Sequence, residues 1–222
     1  MKQTFVYLTV FLVASNYILS SCASSKGEKQ TAQRPRILIS TDIGGTDPDD
    51  NQSMAHFLMY CNKFDTEGLI SSPSFGSGSQ EEILRMIALY EQDLPKLKKH
   101  ATGWAEPDYL RSITKQGRKG TVPYCGYSTA TQGSEWIVKC ARRVDERPLW
   151  VLVWGGLDDL AQALHDAPDI ADKIRVYWIG GPNKNGVLTA MHTLSNTSLI
   201  CGSLKTCVLP WFYRTEKSER RV

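Results

Sequence analysis

The chain has 222 residues, which is enough for one α/β domain or two small ones. Its composition, 41% hydrophobic and 22% charged, is ordinary for a globular protein. The formal net charge of +3 is too small to indicate a nucleic-acid or polyanion partner, and the basic excess lies in residues 186–222.

The N-terminal residues are predicted to form a targeting signal rather than part of a fold. Lys2 supplies a positive charge, and residues 5–19 form a mostly apolar stretch that is too short to favour a membrane-spanning helix. The stretch ends in Leu19-Ser20-Ser21-Cys22, which resembles the bacterial lipobox, whose final cysteine carries the lipid. An ordinary cleaved signal peptide with a chance cysteine is the alternative.

The lipobox resemblance implies an anchored protein. Residues 1–21 would be a lipoprotein signal peptide, and Cys22 would carry acyl chains that anchor the protein stably. Residues 22–34 contain mostly Ser, Lys, Gly and Gln and predict a flexible tether. We therefore expect an exported protein that is lipid-anchored to a bacterial membrane, in the periplasm or at the cell surface.

Residues 35–185 alternate between short apolar runs and segments with helical spacing. The apolar runs predict buried strands at Arg36–Thr41, Glu67–Ser72, Pro148–Trp154 and Lys173–Ile179. The helical spacing predicts helices at Ser53–Cys61, Gln80–Tyr90, Thr131–Arg143 and Leu157–His165. The polar and basic segment 104–120 is predicted to form short helices and an exposed loop. The alternation predicts an α/β domain with a mostly parallel sheet, helices on both faces, and a functional edge where the strands end.

An acidic loop follows the first predicted strand directly. Asp42, Asp47, Asp49 and Asp50 lie within nine residues, and carboxylates crowded in this way repel one another. A hard cation relieves that repulsion, and Ca²⁺ prefers several carboxylate oxygens, so the loop indicates a calcium site. The alternative is an acidic surface turn in which Asp49 caps the next helix and Asp50 complements the helix dipole. The ligand spacing of an EF-hand and the GK[ST] of a Walker motif are both absent.

Several separated motifs share the order seen in one known superfamily. They are Thr41-Asp42-Ile43-Gly44-Gly45-Thr46-Asp47-Pro48-Asp49-Asp50, Glu67-Gly68-Leu69-Ile70, Trp154-Gly155-Gly156-Leu157-Asp158-Asp159-Leu160-Ala161-Gln162-Ala163-Leu164 and Ile179-Gly180-Gly181-Pro182. Over residues 35–184 the chain resembles the nucleoside hydrolase superfamily. It is most similar to the bacterial extracellular branch that is often labelled cellulose-binding protein.

The resemblance implies a role for each position that matches the family motif. Asp42 would bind Ca²⁺ and act as the general base on water, and Asp50 would be a second Ca²⁺ ligand. Asp49 would contact sugar hydroxyls, and Trp154 would offer its backbone carbonyl to the metal. The implied reaction cleaves an N-glycosidic bond of a nucleoside, or a related glycosyl bond of a carbohydrate. Ser40 departs from the pattern, because the family usually has an Asp there, and two extra residues lengthen the loop before Asp49.

Three of these residues also have simpler interpretations. The Trp154 side chain is predicted to be an aromatic residue of the core. Asp158 and Asp159 are predicted to supply negative charge at the N-terminus of a helix rather than to act in catalysis.

The tail of residues 186–222 does not continue the strand–helix pattern. No Asp follows Asp172, although the family uses a later Asp to complete its calcium site. We hypothesise a reading-frame error near Asn183-Lys184-Asn185, with a divergent natural tail as the alternative. Either tail predicts a sheet that is incomplete on its C-terminal side, with an unpaired edge after Ile179 and weakened stability and activity.

The leading hypothesis is a Ca²⁺-dependent glycosyl hydrolase of nucleoside-hydrolase type, impaired in this chain. The alternative is a non-catalytic carbohydrate-binding lipoprotein that binds cellulose, and a third interpretation is a nonfunctional fragment. The expected partners are a nucleoside or carbohydrate substrate and the membrane that holds the lipid, without nucleic acid.

Overall fold

The computed structural model describes residues 33–45, 48–72, 78–120, 123–179 and 199–201. The strands of these residues form one sheet in the order β3-β2-β1-β4-β5-β6, and every neighbouring pair is parallel. They are β1 (Arg36–Thr41), β2 (Asp65–Ser71), β3 (Thr114–Gln116), β4 (Leu149–Trp154), β5 (Ile174–Ile179) and β6 (Leu199–Cys201). The predicted α/β class with a parallel sheet is confirmed.

Helices connect the strands and cover both faces of the sheet. They are α1 (Asp49–Leu58), α2 (Gln80–Leu97), α3 (Pro107–Ser112), α4 (Gln132–Ala141) and α5 (Asp158–Asp166), with short 3₁₀ helices at Cys61–Lys63 and Pro168–Lys173. The start of α4 shows how the sequence fixes a boundary. The Thr131 hydroxyl accepts the Ser134 backbone N–H at 2.9 Å, and the Ser134 hydroxyl accepts the Thr131 N–H at 2.9 Å. This reciprocal capping satisfies two backbone donors that a helix start leaves unpaired.

Alternate side chains of the strands build two apolar clusters, one on each face of the sheet. In β1, Leu38 belongs to the cluster that includes buried residues of α4 and α5. Its neighbours Ile37 and Ile39 belong to the cluster that includes buried residues of α1 and α2. This period of two is the geometry of a strand, and burial on both faces explains why β1 reads as a continuous apolar run.

A buried ion pair closes the amino end of the sheet, between β1 and β2. The Arg36 side chain is 2% exposed and that of Glu67 is 3% exposed. The guanidinium donates to Glu67 through Nε at 2.7 Å and Nη2 at 3.0 Å. It also donates to the Arg147 carbonyl at 2.8 Å and the Cys140 carbonyl at 2.9 Å. One side chain therefore joins two strands to the end of α4 and to the segment that leads into β4.

Three expectations need correction. The segment 104–120 does contain the short helix α3, but it also contains β3, and Leu110 and Ile113 are buried. The first helix begins at Asp49, four residues before its predicted start, because the polar first turn carries no apolar periodicity. The predicted unpaired edge after Ile179 is wrong, since β6 pairs with Val176–Trp178 of β5.

Some predictions fall on residues outside the described ranges. They concern the signal peptide, the tether, Cys22, Asp47 and all of the tail except residues 199–201. Within the described ranges, no helix combines the length and the apolar character that a membrane crossing requires.

Candidate functional site

The strand order indicates a candidate ligand site where β1 and β4 end. Strands β1, β2 and β3 follow one another in one direction across the sheet, and β4, β5 and β6 follow one another in the opposite direction. The strand order therefore reverses between β1 and β4. Parallel sheets of this kind bind ligands outside the strand ends at such a reversal. We call the side of the molecule where the strands end the carboxyl edge. Asp42 follows β1 there, and its backbone N–H donates to the carbonyl of Trp154, the last residue of β4, at 3.0 Å.

The acidic loop leaves β1 through a tight turn held by backbone hydrogen bonds. The Asp42 carbonyl accepts the Gly45 N–H at 3.0 Å, and the Ile43 carbonyl accepts the Ser79 N–H at 3.0 Å. Gly44 has a φ of +84°, and a Cβ there would lie 2.7 Å from the Ser79 Cβ. Glycine is therefore required at this position both by the backbone conformation and by the close approach of the residue that precedes α2.

The turn brings the carboxyl groups of Asp42 and Asp50 together, as the sequence predicts. The two side chains lie within hydrogen-bonding reach of each other. Burial raises the pKa of Asp50 to about 9, with further contributions from the hydrogen bond to Asp42 and from the charges of Asp42 and Asp49. A hydrogen bond with the Thr41 side chain acts in the opposite direction. Two crowded carboxyl groups of this kind are an electron-rich pair of oxygen donors.

Asp49 lies beside this pair, on the exposed side of α1. Its carboxylate accepts the Asp50 backbone N–H at 2.9 Å. The N-cap position of α1 is occupied by Pro48, without a side-chain capping bond, so the interpretation of Asp49 as the N-cap is wrong. Asp49 is the first helical residue instead, and its charge favours the helix N-terminus.

The described residues supply part of what Ca²⁺ requires. The available donors are the two carboxyl groups of Asp42 and Asp50 and the carbonyl oxygen of Trp154, which keeps a second lone pair beside the Asp42 N–H. All are hard oxygen donors, which suits Ca²⁺, but that ion takes six to eight of them. No set of three or more His, Cys, Asp or Glu side chains in the described ranges is arranged to hold a metal ion. The chemistry of the donors therefore fits the ion, and their number is incomplete.

Two buried serines at the end of β2 lie next to the end of β1, and sequence reasoning missed them. The Ser72 N–H donates to the Thr41 carbonyl at 2.7 Å, which places Ser72 next to the acidic loop. The hydroxyls of Ser71 and Ser72 are buried and have no hydrogen-bond partner within the described ranges. The signal was available, because two hydroxyl residues follow the apolar pair Leu69-Ile70 where the strand next to β1 ends.

Asp158 and Asp159 begin α5 as predicted, but both are buried, with 3% and 1% of their surface exposed. Burial raises the pKa of Asp158 to about 7, with a further contribution from the charge of Asp159, and the Oδ1 atom of Asp158 has no partner within the described ranges. Asp159 accepts the Arg118 backbone N–H at 2.9 Å and the Thr131 hydroxyl. The two carboxyl groups are therefore buried at the carboxyl edge rather than exposed on the surface. Because α5 also carries polar residues at Gln162, His165 and Asp166, the sequence pattern alone does not indicate that the two carboxyl groups are buried.

The Trp154 side chain packs, partly buried, against the apolar cluster that includes α1 and α2. The prediction of a core aromatic is therefore confirmed, and it is compatible with a backbone role. The side chain points into the protein while the carbonyl faces Asp42.

Comparisons with known proteins agree with this architecture. Residues 36–196 match the family model described as cellulose-binding Sde182, nucleoside hydrolase-like domain, which extends past the predicted limit at Lys184. Among solved structures, the chain is similar to a nucleoside hydrolase-related hypothetical protein from Saccharophagus degradans that is associated with carbohydrate metabolism. The two are 31% identical, with a TM-score of 0.61, and the match covers 65% of this chain and 38% of that one. The chain thus spans less than half of that relative, and no curated protein matches it. This chain belongs to the cellulose-binding Sde182 family and carries its nucleoside hydrolase-like domain.

Proposed function

We propose that the carboxyl edge binds a glycosyl substrate and hydrolyses a glycosyl bond, N-glycosidic or related, with the help of Ca²⁺. The observation that carries this proposal is the pairing of Asp42 with Asp50 at the reversal of the strand order. Carboxyl groups held close together cluster at functional sites, because the resulting pKa shifts serve proton transfer or metal binding. The fold also supports this location, since ligands of parallel sheets bind at this edge.

Asp42 is the residue best placed to act as the general base. Asp42, Asp50 and the Trp154 carbonyl would hold Ca²⁺, which when bound neutralises the two carboxylates and makes a nearby water more acidic. Asp42 in its carboxylate form accepts a proton from that water. The water oxygen forms a bond to the anomeric carbon while the bond to the leaving group breaks, and the leaving group takes the electron pair. Asp49, exposed beside the pair, accepts hydrogen bonds from sugar hydroxyls.

The test is an assay of the full chain against nucleosides and short oligosaccharides, with Ca²⁺ or with a chelator. We expect hydrolysis that the chelator abolishes and that Asp42→Asn reduces at least 100-fold, since a general base contributes about 10²–10⁴-fold. Asp93→Asn is the matched control, because Asp93 is exposed on α2 and pairs only with Lys96 in the described contacts. Hydrolysis that survives both the chelator and Asp42→Asn would contradict the proposal.

The second candidate is a carbohydrate-binding protein without catalysis. It is favoured by the incomplete donor set, because only two carboxyl groups meet among the described residues, and by the cellulose-binding description of the family. Its signature is retention on cellulose that is insensitive to chelator and to Asp42→Asn, with no glycosyl product released. Loss of retention in Asp42→Asn would favour the hydrolase instead.

We also propose that the protein is exported and anchored through lipid on Cys22. The support is the lipobox-like Leu19-Ser20-Ser21-Cys22 after an apolar stretch. Expression in a bacterial host with labelled palmitate should label the wild type and leave Cys22→Ala unlabelled. Equal labelling of both proteins would contradict this anchor.

A further inference from the structure

The strands β4 and β5 are covered unequally on their two faces. On the face of α4 and α5, the side chains of Val151, Val153 and Val176 are fully buried. On the face of α1 and α2, the alternate side chains of β4 are only partly buried, and Tyr177 and Ile179 of β5 are 36% and 50% exposed. A parallel sheet is normally buried on both faces, so this part of the sheet lacks cover in the described chain.

The side chains that lack cover lie next to one another. We call them the open face, which consists of Trp150, Leu152, Trp154, Tyr177 and Ile179. In the register of the two parallel strands, Leu152 lies beside Tyr177 and Trp154 lies beside Ile179. Arg175, beside Trp150, is the charged residue of the same row. A contiguous apolar surface of this kind marks a place where another chain segment or another molecule packs.

The tail of the chain reaches the sheet beside the open face. Its residues Leu199–Cys201 form β6, which pairs in parallel with Val176–Trp178 of β5. Because β6 runs parallel to β5, the chain leaves β6 at the carboxyl edge, and β4 is the second strand away from it. The tail is therefore already joined to the sheet, and it continues from a point next to the open face.

The sequence after Cys201 contains a segment that matches the open face in character. Residues 207–213 read Cys-Val-Leu-Pro-Trp-Phe-Tyr and contain no charged side chain. Residues 214–221 read Arg-Thr-Glu-Lys-Ser-Glu-Arg-Arg and contain no apolar one. Burial of the first run is favourable because it removes apolar surface from water, whereas the second run is best left in water. The tail thus carries one short segment that needs a partner surface.

We propose that residues 207–213 fold back from β6 and cover the open face, so that the tail supplies the missing apolar layer over β4 and β5. The linker of residues 202–206 can reach about 17 Å when extended. It has to rise about 10 Å, the spacing of packed layers, and to move across the sheet by about 5–10 Å. A segment of the same chain is favoured over a separate molecule, because a short linker holds it at an effective concentration of about 1 mM. This inference goes beyond the proposed function and does not depend on hydrolysis.

Photo-cross-linking of the full chain tests this contact directly. Benzoylphenylalanine, a photoreactive amino acid, is placed at Phe212, and the cross-linked peptides of dilute protein are identified by mass spectrometry. We expect cross-links within one chain to peptides that contain β4 or β5. The same group at Ser218 is the matched control, because Ser218 lies in the charged run, and it should not label those peptides.

A charge on the open face should displace the segment. Tyr177→Asp should lower the yield of the Phe212 cross-link about tenfold, because the segment would otherwise bury an unpaired carboxylate, and Ile179→Asp should act in the same way. Tyr60→Asp is the control for these variants, because Tyr60 is 61% exposed and precedes β2 at the opposite end of the sheet, and it should leave the yield unchanged. Thermal unfolding checks that each variant is folded.

Three results would overturn the inference. Cross-links between two chains at the open face would assign that surface to a second copy of the protein. Absence of cross-links to β4 and β5 would show that the segment lies elsewhere. An equal yield in the wild type and in a folded Tyr177→Asp variant would show that the open face is not the surface it contacts.

Discussion

Replacing Arg36 by methionine should cause a large loss of stability, because it leaves a buried carboxylate with one weak partner. Glu67 is 3% exposed and receives two hydrogen bonds from Arg36, at 2.7 and 3.0 Å. Its other cationic contact in the described chain is Arg143 at 3.0 Å, whose side chain is 56% exposed. Two carbonyls at the end of α4 and before β4 also lose their donor.

The expected cost follows from that geometry. Removing one partner of a buried ion pair costs about 3–5 kcal/mol, because the remaining charge stays desolvated. Arg143 offsets part of this cost, so Arg36→Met should lower the free energy of unfolding by about 3–4 kcal/mol. The double variant Arg36→Met/Glu67→Leu should recover most of the loss, since an apolar pair of similar volume often replaces a buried ion pair without penalty.

Urea denaturation at neutral pH measures both quantities. Arg85→Met is the matched control, because Arg85 is 53% exposed and pairs with Glu82 on the surface of α2, and it should cost less than about 1 kcal/mol. A cost below about 1 kcal/mol for Arg36→Met, or a double variant no more stable than the single one, would refute the reasoning.

Two further predictions concern the carboxyl edge. Gly117→Ala should be more destabilising than Gly120→Ala in thermal unfolding, because a Cβ on Gly117 would clash with the buried Asp159 carboxylate, 2.7 Å from its Cγ, whereas Gly120→Ala carries only the backbone strain of a φ of +80°. Similar melting temperatures would contradict the packing. Because burial raises the pKa of Asp158 to about 7, the folded state holds its proton better than the unfolded state, so stability is lost as pH rises from about 4 to 7. Asp158→Asn should remove that loss and be the more stable protein in denaturation at pH 8; greater stability of the wild type there would count against the assignment.

Much of the scaffold could be predicted from local pattern, because buried parallel strands are apolar on both faces. The prediction for β1 matches the structure residue for residue, and the start of β4 differs by one residue. The three residues of β3, Thr114, Lys115 and Gln116, carry no apolar period, so pairing with β2 makes them a strand and local sequence does not.

The candidate site could likewise be predicted from the sequence only in part. The convergence of Asp42 and Asp50 follows from a glycine-rich turn between a strand and a helix, which sequence can indicate. The exposure of Asp49 depends on the rotation of α1, which a polar first turn does not reveal. The role of Asp159 depends on Arg118, 41 residues earlier in the chain, and only the packing of α5 brings the two together.

The account rests on Asp42 and Asp50 acting together as the acidic centre of the carboxyl edge, and calorimetric titration with Ca²⁺ tests this directly. The wild type should bind Ca²⁺ at one site, and Asp42→Asn and Asp50→Asn should each weaken that binding at least tenfold, while Asp93→Asn binds as the wild type does. Absence of Ca²⁺ binding by the wild type, or unchanged affinity in both variants of the pair, would contradict the account.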